Sequence, residues 1–162
     1  MSLRVLIADD EQPARHGMLR ALKSNGCELL EAADGEAGLR ILREKGADLV
    51  LLDVMMPGRD GYSVCREIRS DSFLADLPVI MVTGVEDIDA VHRVFSVKAD
   101  DFVTKPVHWP LLPYRVRFTL RRRNDAAVLR EALVKAKAAD ESKAQFLAAM
   151  GHELRTPLNA II

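Results

Sequence analysis

Four short apolar runs, each stopped by a residue able to do chemistry, constrain this chain more than any other feature. One of them, Leu49-Val50-Leu51-Leu52, ends on Asp53 and is followed by the turn signal Met56-Pro57-Gly58. A continuous apolar stretch of that length, bounded by Pro and Gly, predicts a strand buried on both faces of a parallel sheet. Val5-Leu6-Ile7-Ala8 ends on Asp9 and Asp10, Val79-Ile80-Met81-Val82 on Thr83, and Phe102-Val103-Thr104 on Lys105-Pro106. Parallel strands share a direction, so their carboxyl ends gather on one edge, where ligands bind in open α/β sheets. Three acids, a hydroxyl and an ammonium therefore converge there.

Clustered carboxylates repel one another unless a cation joins them. An oxygen-only donor set suits Mg²⁺, which takes one or two carboxylates together with phosphate and water. The lysine and the threonine can hold the other oxygens of a phosphoryl group. The constellation suits the placing of phosphate on an aspartate.

Asp9-Asp10, Asp53 within Leu52-Asp53-Val54-Met55-Met56-Pro57-Gly58-Arg59-Asp60-Gly61, Thr83 and Lys105-Pro106 resemble the receiver domain of two-component response regulators. The resemblance covers about residues 3 to 122. It implies that Asp53 is the phosphoacceptor and that Mg²⁺ is held by Asp10, Asp9, Asp53 and the backbone carbonyl of Met55. It further implies that Thr83 and Lys105 grip the phosphoryl group and that Phe102 is the aromatic whose rotamer follows phosphorylation. A partner histidine kinase or phosphotransfer protein would be the donor.

Between the strands, the pattern predicts helices from Pro13 to about Ser24, after Asp34-Gly35, over about Gly61 to Ser70, and over about Asp87 to Val97. The last would turn Ile88, Val91, Val94 and Phe95 inward. Cys27 to Ala33 reads as a further strand. Five alternations of strand and helix give a doubly wound α/β fold with a five-stranded parallel sheet. The resemblance supplies the flavodoxin-like order 2-1-3-4-5, which agrees with right-handed crossovers. Lys98 stands where receivers usually have Gly, so a strained helix end is expected. Pro110 suits the first turn of a fifth helix, and Pro113 would then remove one intrahelical bond. Cys27 and Cys65 lack metal spacing and read as buried thiols.

Past Tyr114 no helix breaker occurs until Gly151 and Pro157. Ala126, Leu129, Leu133, Ala136, Leu147, Met150, Leu154 and Ile161 follow steps of three and four, with Asp140 and Lys143 interrupting. That heptad seam predicts a coiled-coil helix and a parallel homodimer. A single amphipathic helix packed on its own receiver is the competing reading. The string Phe146-Leu147-Ala148-Ala149-Met150-Gly151-His152-Glu153-Leu154-Arg155-Thr156-Pro157-Leu158-Asn159-Ala160-Ile161 resembles the phosphoacceptor box of sensor histidine kinases. By that resemblance His152 is a second phosphoacceptor and Thr156 orients water for dephosphorylation. Glu153 stands where it can accept the imidazole proton. His152 falls off the seam and should face solvent, whereas His16, His92 and His108 lack such a context and read as surface or capping residues.

These readings divide the chain into a receiver (1–122), a helical coiled-coil linker (123–144) and the truncated start of a histidine kinase dimerisation and phosphoacceptor domain (145–162). The sequence carries no second dimerisation helix and no ATP-binding domain. The expectation is a piece of a hybrid kinase that cannot phosphorylate itself, with the parent chain a protein histidine kinase. From Pro110 to His152 a straight helix would run roughly 63 Å, which argues against direct transfer between Asp53 and His152 in one chain. The receiver then reads as an input that acts on the kinase through the coil.

A net charge of −1 gives no reason to expect nucleic acid as partner. No apolar run approaches the ~20 residues of a membrane helix and Met1-Ser2-Leu3 opens no signal peptide, so a cytoplasmic setting without membrane is expected. The runner-up function is a non-catalytic dimerisation or interaction module on a receiver fold. An aspartate-nucleophile phosphatase would need a second acid two residues past Asp53, and Met55 cannot serve. A DNA-binding regulator would need an effector domain.

In receivers the residues two past the phosphoacceptor and two past the threonine govern attack by water on the phosphoaspartate. Here both, Met55 and Val85, are apolar, which implies a long-lived phosphoaspartate. Met55→Asn should shorten the lifetime several-fold in a phosphate-release assay.

Overall fold

The computed structural model describes residues 2–84 and 88–159, with side chains to residue 153. Five strands alternate with helices: β1 (Arg4–Ala8), α1 (Gln12–Lys23), β2 (Glu28–Ala32), α2 (Gly35–Lys45), β3 (Leu49–Asp53), α3 (Gly61–Ser70), β4 (Val79–Thr83), α4 (Ile88–Ser96), β5 (Asp101–Thr104) and α5 (Leu112–Asn159). All pairings are parallel and the order is β2-β1-β3-β4-β5. The flavodoxin-like, doubly wound sheet and the long C-terminal helix expected from the sequence are both present.

Period-two alternation splits each central strand between two cores. Leu6, Ala8, Val50, Leu52, Val79 and Met81 face Leu39 and Leu42 of α2, Val64, Cys65 and Ile68 of α3, and Val94 of α4. Val5, Ile7, Leu49, Leu51, Ile80 and Val82 face Met18 and Leu22 of α1 and Leu112 and Val116 of α5. Each such side chain contributes about 1.5–3 kcal/mol on leaving water, so the central strands are fixed on both faces.

Local chemistry sets the helix starts. Asp34 caps α2 by accepting from Ala37 N–H at 2.7 Å, and Asp60 caps α3 by accepting from Ser63 N–H at 2.7 Å. The latter bond holds the Asp60 carboxyl below the usual carboxylate range.

Three expectations are corrected. The inward face of α4 is Ala90 and Val94, while Ile88 is 71% and Phe95 54% exposed. A short helix lying over one sheet edge buries a narrower stripe than its apolar spacing suggests. Pro110 sits in a 3₁₀ turn, Trp109–Leu111, and α5 begins only at Leu112. Pro113 is therefore in the first turn, where its missing N–H has no intrahelical acceptor to lose. Cys65 is buried with its thiol 3.4 Å from the Val97 carbonyl, but Cys27 is only half-buried.

By contacts the chain forms two units that meet at Arg122 and Arg123. In the second, helical unit, Leu129, Leu133, Leu147 and Met150 are all exposed in the single chain. A Glu131–Lys135 ion pair at 2.8 Å adds a few tenths of a kcal/mol to the helix. Leu154 and Ile161 of the expected seam lie outside the described side chains, as does Val85. Among the described residues no helix is long and apolar enough to cross a membrane.

Lys98 has φ of 60° after α4, the left-handed conformation that disfavours any residue with a Cβ. Its carbonyl accepts from Arg69 Nε at 2.8 Å, and Arg69 also pairs with Asp100 at 2.9 Å, so neighbouring contacts hold the strained turn. Lys98→Gly should raise unfolding stability by about 0.5–1 kcal/mol, read as a higher urea midpoint.

Candidate functional site

The carboxyl ends of β1, β3, β4 and β5 bring Asp9, Asp53, Thr83 and Lys105 to one edge of the sheet. The Lys105 ammonium lies 3.1 Å from Asp9 Oδ2 and 3.1 Å from Asp53 Oδ1. Asp9, Asp53 and Thr83 are buried, at 0%, 2% and 1% exposure, while Asp10 opens to solvent. Thr83 and Thr104 are register partners, and Lys105 N–H donates to the Thr83 carbonyl at 2.7 Å, so the backbone of Lys105 is tied to the end of the strand that carries Thr83.

Two buried acids against one ammonium leave an excess of negative charge out of water, with the exposed Asp10 beside it. Burial first, and then the Asp9 charge, push the Asp53 carboxyl up to about 6, against the opposing pull of Lys105. Desolvation alone would lower Lys105, but Asp53 and Asp9 outweigh it and the amine rises above its ordinary value. Ligand oxygens of Asp9, Asp10 and Asp53 lie within 4.8 Å of one another. Asp53 Oδ2 is buried without a hydrogen-bond partner, and Asp9 Oδ2 has only the ionic contact with Lys105. Such orphaned anionic oxygens fit a hard divalent cation with oxygen ligands, as Mg²⁺ is.

The turns around the site are tightly built. The N-terminus of α3 passes so close to the end of β3 that a Cβ on Gly61 would strike the Asp53 carbonyl oxygen. Gly61 N–H donates to the Val54 carbonyl at 2.9 Å, which closes the loop that carries Met55. The Met55 side chain is 71% exposed, whereas Met56 is buried and anchors the loop.

Phe102 on β5 is half-buried and meets Phe95 of α4 edge to face, with centroids 6.1 Å apart and planes at 89°. His152 and Glu153 are exposed on α5, and the Thr156 side chain lies outside the described residues. Two arginines next to the site gave no signal in the sequence. Arg15 of α1 donates to the Asp9 carbonyl at 2.7 Å, and Arg59 of the β3–α3 loop pairs with Glu36 at 3.0 Å and with Glu67. Phe95 was also misread, as a core residue.

A parallel sheet with this edge of acids and a lysine defines a response regulator receiver domain, and the family profile of that name matches residues 5–117. The chain belongs to that family. It is 42% identical over 124 residues to the "Probable transcriptional regulator ycf27" of Guillardia theta, covering 76% of this chain and 48% of the relative. The chain thus spans about half the length of that curated relative. Among solved structures, the signal receiver domain of a signal transduction histidine kinase from Syntrophus aciditrophicus superposes with a TM-score of 0.69 at 31% identity. That match covers 74% of this chain and 91% of the other. DrrB, a Thermotoga maritima OmpR/PhoB homologue, gives 0.68 at 31% identity, over 75% of this chain and 54% of DrrB.

The raised Asp53 carboxyl has a consequence for stability. Between the ordinary carboxylate range and about pH 6 the folded state holds this proton and the unfolded chain does not. Stability from this group therefore falls as pH rises through that window, and the penalty is complete above about pH 6. In chelator at pH 7.5, Asp53→Asn should be more stable than wild type by on the order of 1–2 kcal/mol, and the gap should close towards pH 4.5, as measured by urea unfolding.

Proposed function

We propose that the chain is a phosphorelay receiver that accepts a phosphoryl group on Asp53 and passes the resulting change to the long helix α5. The observation that carries this reading is the single ammonium of Lys105 shared between two buried carboxylates, one of which keeps an unpartnered oxygen. At pH 7 Asp53 is mostly ionised, with its carboxyl at about 6, and Oδ2 is free to attack. The Asp53 oxygen forms the new bond to phosphorus as the bond from phosphorus to the donor imidazole nitrogen breaks, and the donor histidine leaves with the electron pair. Lys105 then turns from the carboxylates to the incoming phosphoryl oxygens, and the Thr83 hydroxyl takes another. Asp9, Asp10, Asp53 and the Met55 carbonyl would hold Mg²⁺, which supplies charge neutralisation for the transferred group. Phe102, on the strand next to that of Thr83, meets Phe95 of α4 edge to face, and a shift at Thr83 would pass to the exposed face of α4 and β5 through that pair.

Downstream, the residues from Phe146 to Ile161 support a histidine kinase phosphoacceptor segment. His152 acts as its nucleophile, Glu153 accepts the proton and Thr156 orients water. The segment 123–144 is a coiled-coil linker through which two parallel chains pair. The exposed Leu129, Leu133, Leu147 and Met150 support this pairing, because an apolar stripe open to water gains about 25 cal/mol per Å² on burial. In this reading the parent protein is a cytoplasmic histidine kinase to which these residues contribute only the phosphoacceptor. A second reading is favoured by the curated relative, which is named a probable transcriptional regulator and of which this chain covers 48%. In that reading the helix leads to an output on transcription.

Acetyl phosphate with Mg²⁺ should add one phosphoryl group to wild type and none to Asp53→Asn, and Lys105→Ala should be labelled at least about tenfold more slowly, by intact mass. In the parent protein, autophosphorylation at His152 should differ between Asp53→Asn and protein treated with a beryllofluoride mimic. Equal rates would leave the transcriptional reading in place.

A further inference from the structure

Asp9 is hydrogen-bonded at its N–H, its carbonyl and Oδ1, while Oδ2 has only an ionic contact. Its N–H donates to the Ala32 carbonyl at 3.1 Å, Oδ1 accepts from Glu11 N–H at 2.8 Å, Oδ2 faces Lys105, and its carbonyl accepts from Arg15 at 2.7 Å. Three of those partners are backbone groups or the site's own lysine. The fourth is a guanidinium that reaches back from the first turns of α1, only 13% exposed, and is itself steadied by Glu31 of β2 at 3.3 Å. A cation that well shielded is worth more than a surface pair, and its planar fork can hold a carbonyl and a carboxylate together.

We propose that Arg15 is a positioning residue for phosphoryl acceptance. It ties the Asp9 carbonyl to β2 through Glu31 and so fixes the β1–α1 turn with the carboxylates of Asp9 and Asp10 turned to the cation. It touches neither the cation nor the phosphoryl group. Without that tie, the Asp9 N–H still bonds the Ala32 carbonyl, but the Asp9 carbonyl loses its partner, and the carboxylate is held only at Oδ1 by one neighbouring N–H and at Oδ2 by a lysine that must leave when the phosphoryl group arrives. Arg15 thus keeps the acidic pair in place during the one step in which Lys105 changes partner.

This inference rests on the phosphoacceptor reading of Asp53, and the wild-type arm separates the two. Mg²⁺ binding is measured by calorimetry on the full chain, beside acetyl phosphate labelling and the melting temperature in chelator. If wild type neither binds Mg²⁺ nor is labelled at Asp53, the reading of the site fails and the inference with it. With wild type active, Arg15→Ala should bind Mg²⁺ about tenfold more weakly, the size of effect seen when a partner that orients metal ligands is lost. Arg15→Lys, which keeps the charge and one donor but not the fork, should lose about threefold. Glu31→Gln should fall near Arg15→Lys. A lowered melting temperature with unchanged Mg²⁺ affinity would make Arg15 a packing residue and overturn the proposal. If Arg15→Ala does not fold, Arg15→Lys and Glu31→Gln decide, and wild-type affinity in both overturns it.

Discussion

Everything at the functional edge follows from burying two carboxylates, Asp9 and Asp53, against one shared ammonium, with the exposed Asp10 beside them. Coulomb repulsion between Asp53 and Asp9 grows as water is removed, and both are almost wholly buried. Lys105 offsets part of that repulsion by standing 3.1 Å from each, but it cannot neutralise both. The site is left short of positive charge, with one buried carboxylate oxygen unpartnered. That deficit is what makes the edge fit a hard divalent cation with oxygen ligands. A fully satisfied network would be more stable and would do nothing.

The sheet can hold this arrangement because it is fixed elsewhere. Side chains of β1, β3 and β4 alternate between two helical layers, so neither register nor twist can relax to ease the repulsion. Gly61 permits α3 to approach the Asp53 carbonyl, and Arg15 and Arg59 stitch the two site-bearing turns to neighbouring elements. Stability is thus concentrated in the apolar layers, and function sits at the polar edge they clamp. Strain is admitted at few places, such as Lys98, where Arg69 holds the turn.

The aromatic pair Phe95–Phe102 lies at the border between these regimes. Phe102 follows the register of β5, while Phe95 belongs to a helix that buries only Ala90 and Val94. A helix with so narrow a buried stripe is held by fewer apolar contacts than the strands beside it.

The sequence by itself determined the strands, their carboxyl-terminal acids, the lysine and the helical period, because each is a local signal: an apolar run, a Pro or Gly stop, a step of three or four. From these alone the parallel α/β architecture and the convergence of Asp9, Asp10, Asp53, Thr83 and Lys105 could be read. Only the tertiary structure decided which apolar residues of α4 face inward, that α5 starts past Pro110, that Cys27 stays half-open, and that Arg15 closes on Asp9. These are contacts between segments far apart in sequence, set by which surfaces the packed layers leave covered, and no local period encodes them.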